Sequence, residues 1–192
     1  MKWIPLLLLL PSLAAAPAQA GEGAALVAGV FDPPRPAPDF TLPASDGTRL
    51  SLARYRGKAI VLAFGFTSCP KICPTTLATL AQARKKLGAR AGEVQVVYVT
   101  VDPERDDAER MRKYLAGFDS TFVGATGTPA ELAAVRQSYG VTSTKTGEGS
   151  DYGFAHSSYT YLIDRDGNLR ALMPYGHSSD DYAHDVGILL GP

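Results

Sequence analysis

Cysteine is scarce in this chain, neither sign of charge is in excess, and no apolar run reaches the length of a membrane span. There are 19 basic and 19 acidic residues among 192. That balance gives no footprint for binding nucleic acid or a polyanion. The local runs, basic at Arg84-Lys85-Lys86 and acidic between Asp102 and Glu109, read as solvated helix surface. There is no internal repeat and no sign of a second domain. With 45% hydrophobic residues, the length suits one domain with its own core.

The first twenty residues stand apart. Lys2 supplies a positive start, Leu6 to Leu10 an apolar run, and Ala18-Gln19-Ala20 a small-residue cleavage site. This is the layout of a secretory signal peptide cleaved near Ala20. Pro5 and Pro11 bracket the apolar run, which falls short of the about 20 residues a spanning helix needs. No cysteine lies near the cleavage point to carry a lipid. The expectation is an exported, periplasmic protein with no lasting membrane anchor: signal peptide 1–20, flexible Gly-, Ala- and Pro-rich leader 21–38, folded domain 39–192.

Export changes the meaning of the two cysteines, which both lie in Cys69-Pro70-Lys71-Ile72-Cys73. An oxidising compartment lets thiols pair unless a reductant or a metal occupies them. A disulfide closing so small a loop constrains the unfolded chain very little. The pair therefore points to chemistry rather than to a structural staple.

Around this motif the elements alternate. Residues 39–42 and 48–51 flank Ser45-Asp46-Gly47 as a short hairpin. Residues 58–66 and 94–101 are nearly continuous apolar runs, the mark of strands buried on both faces. Residues 74–87 read as a helix stopped at Gly88. Asp106-Asp107-Ala108-Glu109 resembles a capping box opening a helix with Met111, Tyr114, Leu115 and Phe118 on one face. Thr128-Pro129-Ala130-Glu131 opens another, with Leu132, Val135 and Tyr139 inward. Residues 147–153 form a polar loop. Residues 159–163 and 169–173 flank Asp166-Gly167 as a second hairpin, and 181–190 is a closing helix. This order predicts an α/β sandwich with a mixed central sheet.

The cysteines sit between the first buried strand and the start of its helix, where backbone N–H groups and the helix dipole favour thiolate and should depress both pKa values. Thiolate binds metal and also attacks disulfides. Thioredoxin-like redox motifs place two residues between the cysteines; this chain places three. In a helix, positions i and i+4 share a face, so two sulfurs can converge on one ion, and a soft pair suits Cu(I) or zinc. A third ligand is needed, and an imidazole is the natural one. His184 falls on the polar side of the closing helix, and His177 reads as a surface or capping residue. His156 precedes the strand at residues 159–163; in a thioredoxin-like arrangement the loop entering that strand faces the cysteines.

These residues resemble the SCO/SenC copper-binding proteins that help assemble cytochrome c oxidase. The resemblance runs over residues 38–190. It is carried by Phe66-Thr67-Ser68-Cys69-Pro70-Lys71-Ile72-Cys73-Pro74, Val101-Asp102-Pro103-Glu104-Arg105-Asp106, Val123-Gly124-Ala125-Thr126-Gly127-Thr128 and Asp151-Tyr152 ahead of His156-Ser157. It implies a thioredoxin-like fold holding one copper, as Cu(I) or Cu(II), through Cys69, Cys73 and His156. It also implies a recipient in the binuclear copper centre of oxidase subunit II, and the same two sulfurs are expected to form a redox Cys69–Cys73 disulfide when oxidised. Other periplasmic copper or thiol proteins are further possible partners. Asp102 matches an acidic family position and is a candidate for the shell around the ligands, or else a structural turn before Pro103. Two departures stand out. Ala155 replaces an acidic residue common before the histidine, and Ser157-Ser158 replace the cis-proline of thioredoxin-like reductases.

A non-enzymatic metallochaperone is thus the leading expectation. The alternative is a thiol–disulfide reductase that keeps the copper-receiving cysteines reduced, which would not need His156. A peroxidase is a third reading, since Cys73-Pro74-Thr75 echoes peroxiredoxins, but Pro70 stands where those enzymes carry threonine. Met111 lies on an apolar helix face and reads as core.

Overall fold

A computed structural model describes residues 25–149 and 151–191; the expected signal peptide lies outside the described residues. The chain runs β1 (Gly29–Pro36), β2 (Leu42–Pro43), β3 (Arg49–Leu50), β4 (Ala59–Gly65), α1 (Ile72–Lys86), β5 (Val94–Thr100), α2 (Ala108–Ala116), β6 (Val123–Ala125), α3 (Pro129–Tyr139), β7 (Ser143–Thr146), β8 (Gly153–His156), β9 (Tyr159–Ile163), β10 (Asn168–Pro174) and α4 (Ser179–Leu190). Six strands form one sheet in the order β1-β10-β9-β4-β5-β6. β4, β5 and β6 run parallel, while β9, β10 and β1 are antiparallel to their neighbours. The mixed α/β sandwich expected from the element order is therefore the fold observed.

Every residue of β4 and β5 is buried, because helices cover both faces of the sheet centre. On one face Leu80 of α1 and Tyr182 and Val186 of α4 close over Val61 and Val96. On the other, Tyr139 of α3 packs against the rings of Phe64 and Tyr161, at centroid distances of 5.8 and 5.1 Å. Thr128 caps α3 as expected: its hydroxyl accepts from Glu131 N–H while the Glu131 carboxylate accepts from Thr128 N–H, with Pro129 in the first turn.

Four features differ from the sequence reading. Helix α1 begins at Ile72, not Pro74, so Cys73 is its second residue. Pro74 is tolerated because first-turn N–H groups have no partner within the helix. Helix α2 is capped by Asp107, whose carboxylate accepts from Arg110 N–H at 2.7 Å. Asp106 instead turns into the interior and is fully buried. The polar loop at residues 147–153 joins a hairpin of β7 and β8, too short and too exposed to leave a hydrophobic pattern.

The fourth difference is in the leader: residues 29–36 are an edge strand paired with β10. Prolines are compatible with an edge, where one side of the strand makes no ladder. The segment just before it is held by the buried Asp185 carboxylate of α4, which accepts from Val27 N–H at 2.8 Å and Ala28 N–H at 2.9 Å. Replacing Asp185 with alanine strands these donors. Asp185→Ala should cost about 2 kcal/mol and lower Tm by about 4–8 °C in thermal unfolding.

Candidate metal and thiol site

The site is built where β4 ends and α1 begins. The loop between them is held from beneath by Asp106, whose carboxylate accepts from the Thr67 N–H at 2.9 Å, the Thr67 hydroxyl, and the Thr100 hydroxyl at 2.7 Å. From above, Arg110 donates to the Thr67 hydroxyl at 2.7 Å and to Ser68 Oγ at 2.9 Å. Clamped this way, the loop turns back so that Cys69 Sγ accepts from the Cys73 N–H at 3.5 Å. Cys69 lies before the helix, so the two sulfurs meet through this loop rather than by sharing a helix face.

Their environments are opposite. Cys69 is partly exposed and Cys73 buried, and both are free thiols. Burial pushes the Cys69 thiol up, but the N–H groups of Cys73, Lys71 and Ile72 and the Cys73 thiol together outweigh it and hold the group below 9.0. Burial pushes the Cys73 thiol up to about 12, against smaller opposing contributions from the Tyr98 hydroxyl and the Phe66 backbone. The expectation that the helix start would depress both is therefore corrected: it holds for Cys69 and is reversed by desolvation at Cys73.

His156, the last residue of β8, comes to Cys73. Its Nε2 lies 3.8 Å from Cys73 Sγ, and its Nδ1 lies 2.9 Å from the Ser157 carbonyl oxygen. A carbonyl only accepts, so Nδ1 carries the proton and the Nε2 lone pair faces the sulfur. The backbone of Ser157 thus does the orienting that an acidic residue at position 155 would do. Burial lowers the imidazole below 6.5, partly offset by the Ser157 hydrogen bond. The Phe66 ring meets the imidazole edge-on at 6.0 Å.

The donor set fits a soft metal. With bonds of about 2.3 Å to sulfur and about 2.0 Å to nitrogen, as around zinc, donors subtending roughly 120° lie about 3.7 Å apart. The Cys73–His156 pair is already at that span. Among the described residues no three His, Cys, Asp or Glu side chains are closed together to metal-binding distances; a three-donor set with Cys69 would need its sulfur to move toward the Cys73–His156 pair.

The Asp102 carboxylate is hydrogen-bonded to Arg105 and Tyr152, not to either cysteine or His156. Fully buried, it accepts from Arg105 Nε and from Tyr152 OH at 2.9 Å. Arg105 also donates to the Tyr152 carbonyl at 3.0 Å, and the Tyr152 ring has the Arg105 guanidinium 3.7 Å and the Lys145 ammonium 3.6 Å from its centroid. Asp102 therefore serves the site at one remove, by fastening the β7–β8 hairpin that carries His156 to the β5–α2 connection. His177 and His184 stay apart, beside Asp181 and Asp185. Met111 is fully buried core.

Sequence reasoning missed Tyr98 and Asp106. A Cβ placed on Gly65 would lie 2.1 Å from the Tyr98 hydroxyl and 2.8 Å from Cys73 Sγ. Glycine there lets both groups converge. The only hint in the sequence is one tyrosine in the aliphatic run at residues 94–101.

A cysteine pair at the turn after a central parallel strand, with helices on both faces of a mixed sheet, defines a thioredoxin-like protein; the facing imidazole adds a donor of the kind that soft metals take. The profile of the SCO1/SenC family matches residues 32–190, and the chain belongs to that family. It is 38% identical over 149 residues to the mitochondrial SCO1 homolog 1 of Arabidopsis thaliana, covering 77% of this chain and 45% of that protein. The chain spans about half the length of the curated relatives it matches. Arabidopsis ScoI, solved with copper bound, superposes with a TM-score of 0.73 at 36% identity, covering 80% of this chain and 95% of that one. BsSco, a member of the Sco family of cytochrome c oxidase assembly proteins with a disulfide switch, superposes at 0.68 and 26% identity over 85% of this chain and 98% of its own.

Two outcomes test this geometry. Gly65→Ala should destabilise the fold by about 1–3 kcal/mol through overpacking, and adding Tyr98→Phe should recover part of the loss in urea unfolding. Because burial holds His156 neutral in the folded state, the unfolded chain takes up its proton first as pH falls below 6.5. Stability of the metal-free protein should decline through that window. In His156→Gln the decline should be shallower when urea midpoints are compared at pH 7.5 and 5.5.

Proposed function

We propose that this protein carries one copper ion, as Cu(I) or Cu(II), on Cys69 Sγ, Cys73 Sγ and His156 Nε2 and hands it to the binuclear copper centre of cytochrome c oxidase subunit II. The observation that carries the reading is the Nε2 lone pair held 3.8 Å from the Cys73 sulfur with Nδ1 already committed to a carbonyl. Family membership and the copper-bound Arabidopsis structure support copper over other soft metals.

Transfer proceeds by stepwise ligand exchange. Cys69, more exposed and more readily ionised, is the first sulfur to reach an incoming ligand. Among the described residues, Ile72, Tyr159 and Tyr175 are three of the five exposed large hydrophobic side chains, and all three line the narrow cleft shared by Cys73 and His156. Such an apolar rim suits docking against another protein. When no ion is held, a disulfide of another molecule can oxidise the same sulfurs to a Cys69–Cys73 disulfide, taking up the two electrons and two protons as its own two thiols, a use supported by the disulfide switch of BsSco. The protein works after export to the periplasm, with residues 1–20 removed as a signal peptide. No helix among the described residues is long and apolar enough to cross a membrane.

Copper titration of the reduced protein tests the ligand set. The wild type should bind one equivalent, while Cys69→Ser, Cys73→Ser and His156→Ala should each lose at least tenfold in affinity, the lower end expected even for groups that only support ligands. Stoichiometric binding of undiminished affinity in any of the three would remove that residue from the set.

A further inference from the structure

Six buried side-chain polar atoms among the described residues have no hydrogen-bond partner, and one of them, the Tyr98 hydroxyl, stands at the site. Tyr98 is 1% exposed, in the middle of β5, in register with Ala63 of β4. A phenylalanine would fill the same space and leave no hydroxyl to satisfy. The hydroxyl and Cys73 Sγ converge over Gly65, lying 2.1 and 2.8 Å from the one point its Cβ would occupy. Both line the narrow cleft that also holds His156.

We infer that Tyr98 donates a hydrogen bond to the Cys73 sulfur in the reduced pair, to the thiol and more strongly to a thiolate holding an ion, and that it biases the Cys69–Cys73 pair toward its reduced form. The inference rests on the reading in which these two sulfurs do the work. A reduced sulfur with lone pairs to spare accepts such a bond, a thiolate most strongly, and outer hydrogen bonds of this kind tune what a ligand gives to its metal. A disulfide sulfur is a weaker acceptor, so oxidation forfeits the interaction. Tyr98 touches no ion itself; it is a positioning residue that acts through Cys73.

The test compares wild type, Tyr98→Phe and Tyr55→Phe. Tyr55 also carries a buried hydroxyl without a partner, but it lies before the start of β4, at the opposite end of that strand from the site. Metal-free protein is equilibrated in glutathione buffers. Forming the disulfide releases two electrons and two protons, which convert one glutathione disulfide into two glutathiones. Tyr98→Phe should shift the equilibrium about tenfold toward the protein disulfide, equivalent to about 30 mV, while Tyr55→Phe should match wild type. In protein loaded with Cu(II), the sulfur-to-copper charge-transfer band should move in Tyr98→Phe alone. An unchanged equilibrium and band in a folded Tyr98→Phe would overturn the inference. So would equal shifts in both variants, or loss of the fold in Tyr98→Phe, which would make the hydroxyl structural. Should wild type bind no copper while the Tyr98→Phe redox shift persists, the copper reading fails and the contact to Cys73 stands.

Discussion

One buried carboxylate decides whether this site exists. Asp106 gathers the backbone and side chain of Thr67, just beyond β4, and the hydroxyl of Thr100, at the end of β5. A carboxylate with no exposure is costly unless its lone pairs are used, and here three donors use them. The result is a fixed take-off for the loop that presents Cys69 and delivers Cys73 to the second position of α1. The sulfurs are then placed by hydrogen bonds rather than by a cross-link, which leaves them free for other chemistry.

The imidazole that faces the sulfurs arrives from a different part of the fold. His156 belongs to a two-stranded hairpin outside the six-stranded sheet. Its place is set by hydrogen bonds between Thr142 and Ser157, by the Phe66–Phe154 ring contact and by the Asp102–Arg105–Tyr152 clamp. These contacts are polar and aromatic rather than aliphatic. The cysteine half of the site thus continues directly from the main sheet, whereas the histidine half is attached to it from a separate hairpin.

Much of the fold was legible because burial leaves patterns. The aliphatic runs of β4 and β5 had to be covered on both faces, and the Thr128-Pro129-Ala130-Glu131 start signalled its helix through chemistry that local residues complete by themselves. Where partners are distant, the sequence was silent. Strand β1 carries Pro33, Pro34 and Pro36 and is recognisable only once β10 lies beside it. Asp106 and Asp107 are adjacent and identical, and only the fold shows that the second caps α2 while the first is buried. At the site, spacing exposed the cysteines and chain order exposed His156. Tyr98 was hidden because a tyrosine in an apolar strand looks like any other core residue, and Cys73 looked more ionisable than it is because its burial cannot be read from neighbours in sequence.

The unequal surroundings of the two sulfurs give the site a direction. A thiol partner approaching from solvent meets Cys69 first, since Cys73 lies beneath the surface beside Tyr98. On the proposed reading, an ion bridging two proteins would therefore be built first on Cys69, with Cys73 as the sulfur that completes the exchange from inside. The molecule has a leading and a trailing sulfur, and the order in which bonds are made and broken is set by depth rather than by any difference in the residues themselves.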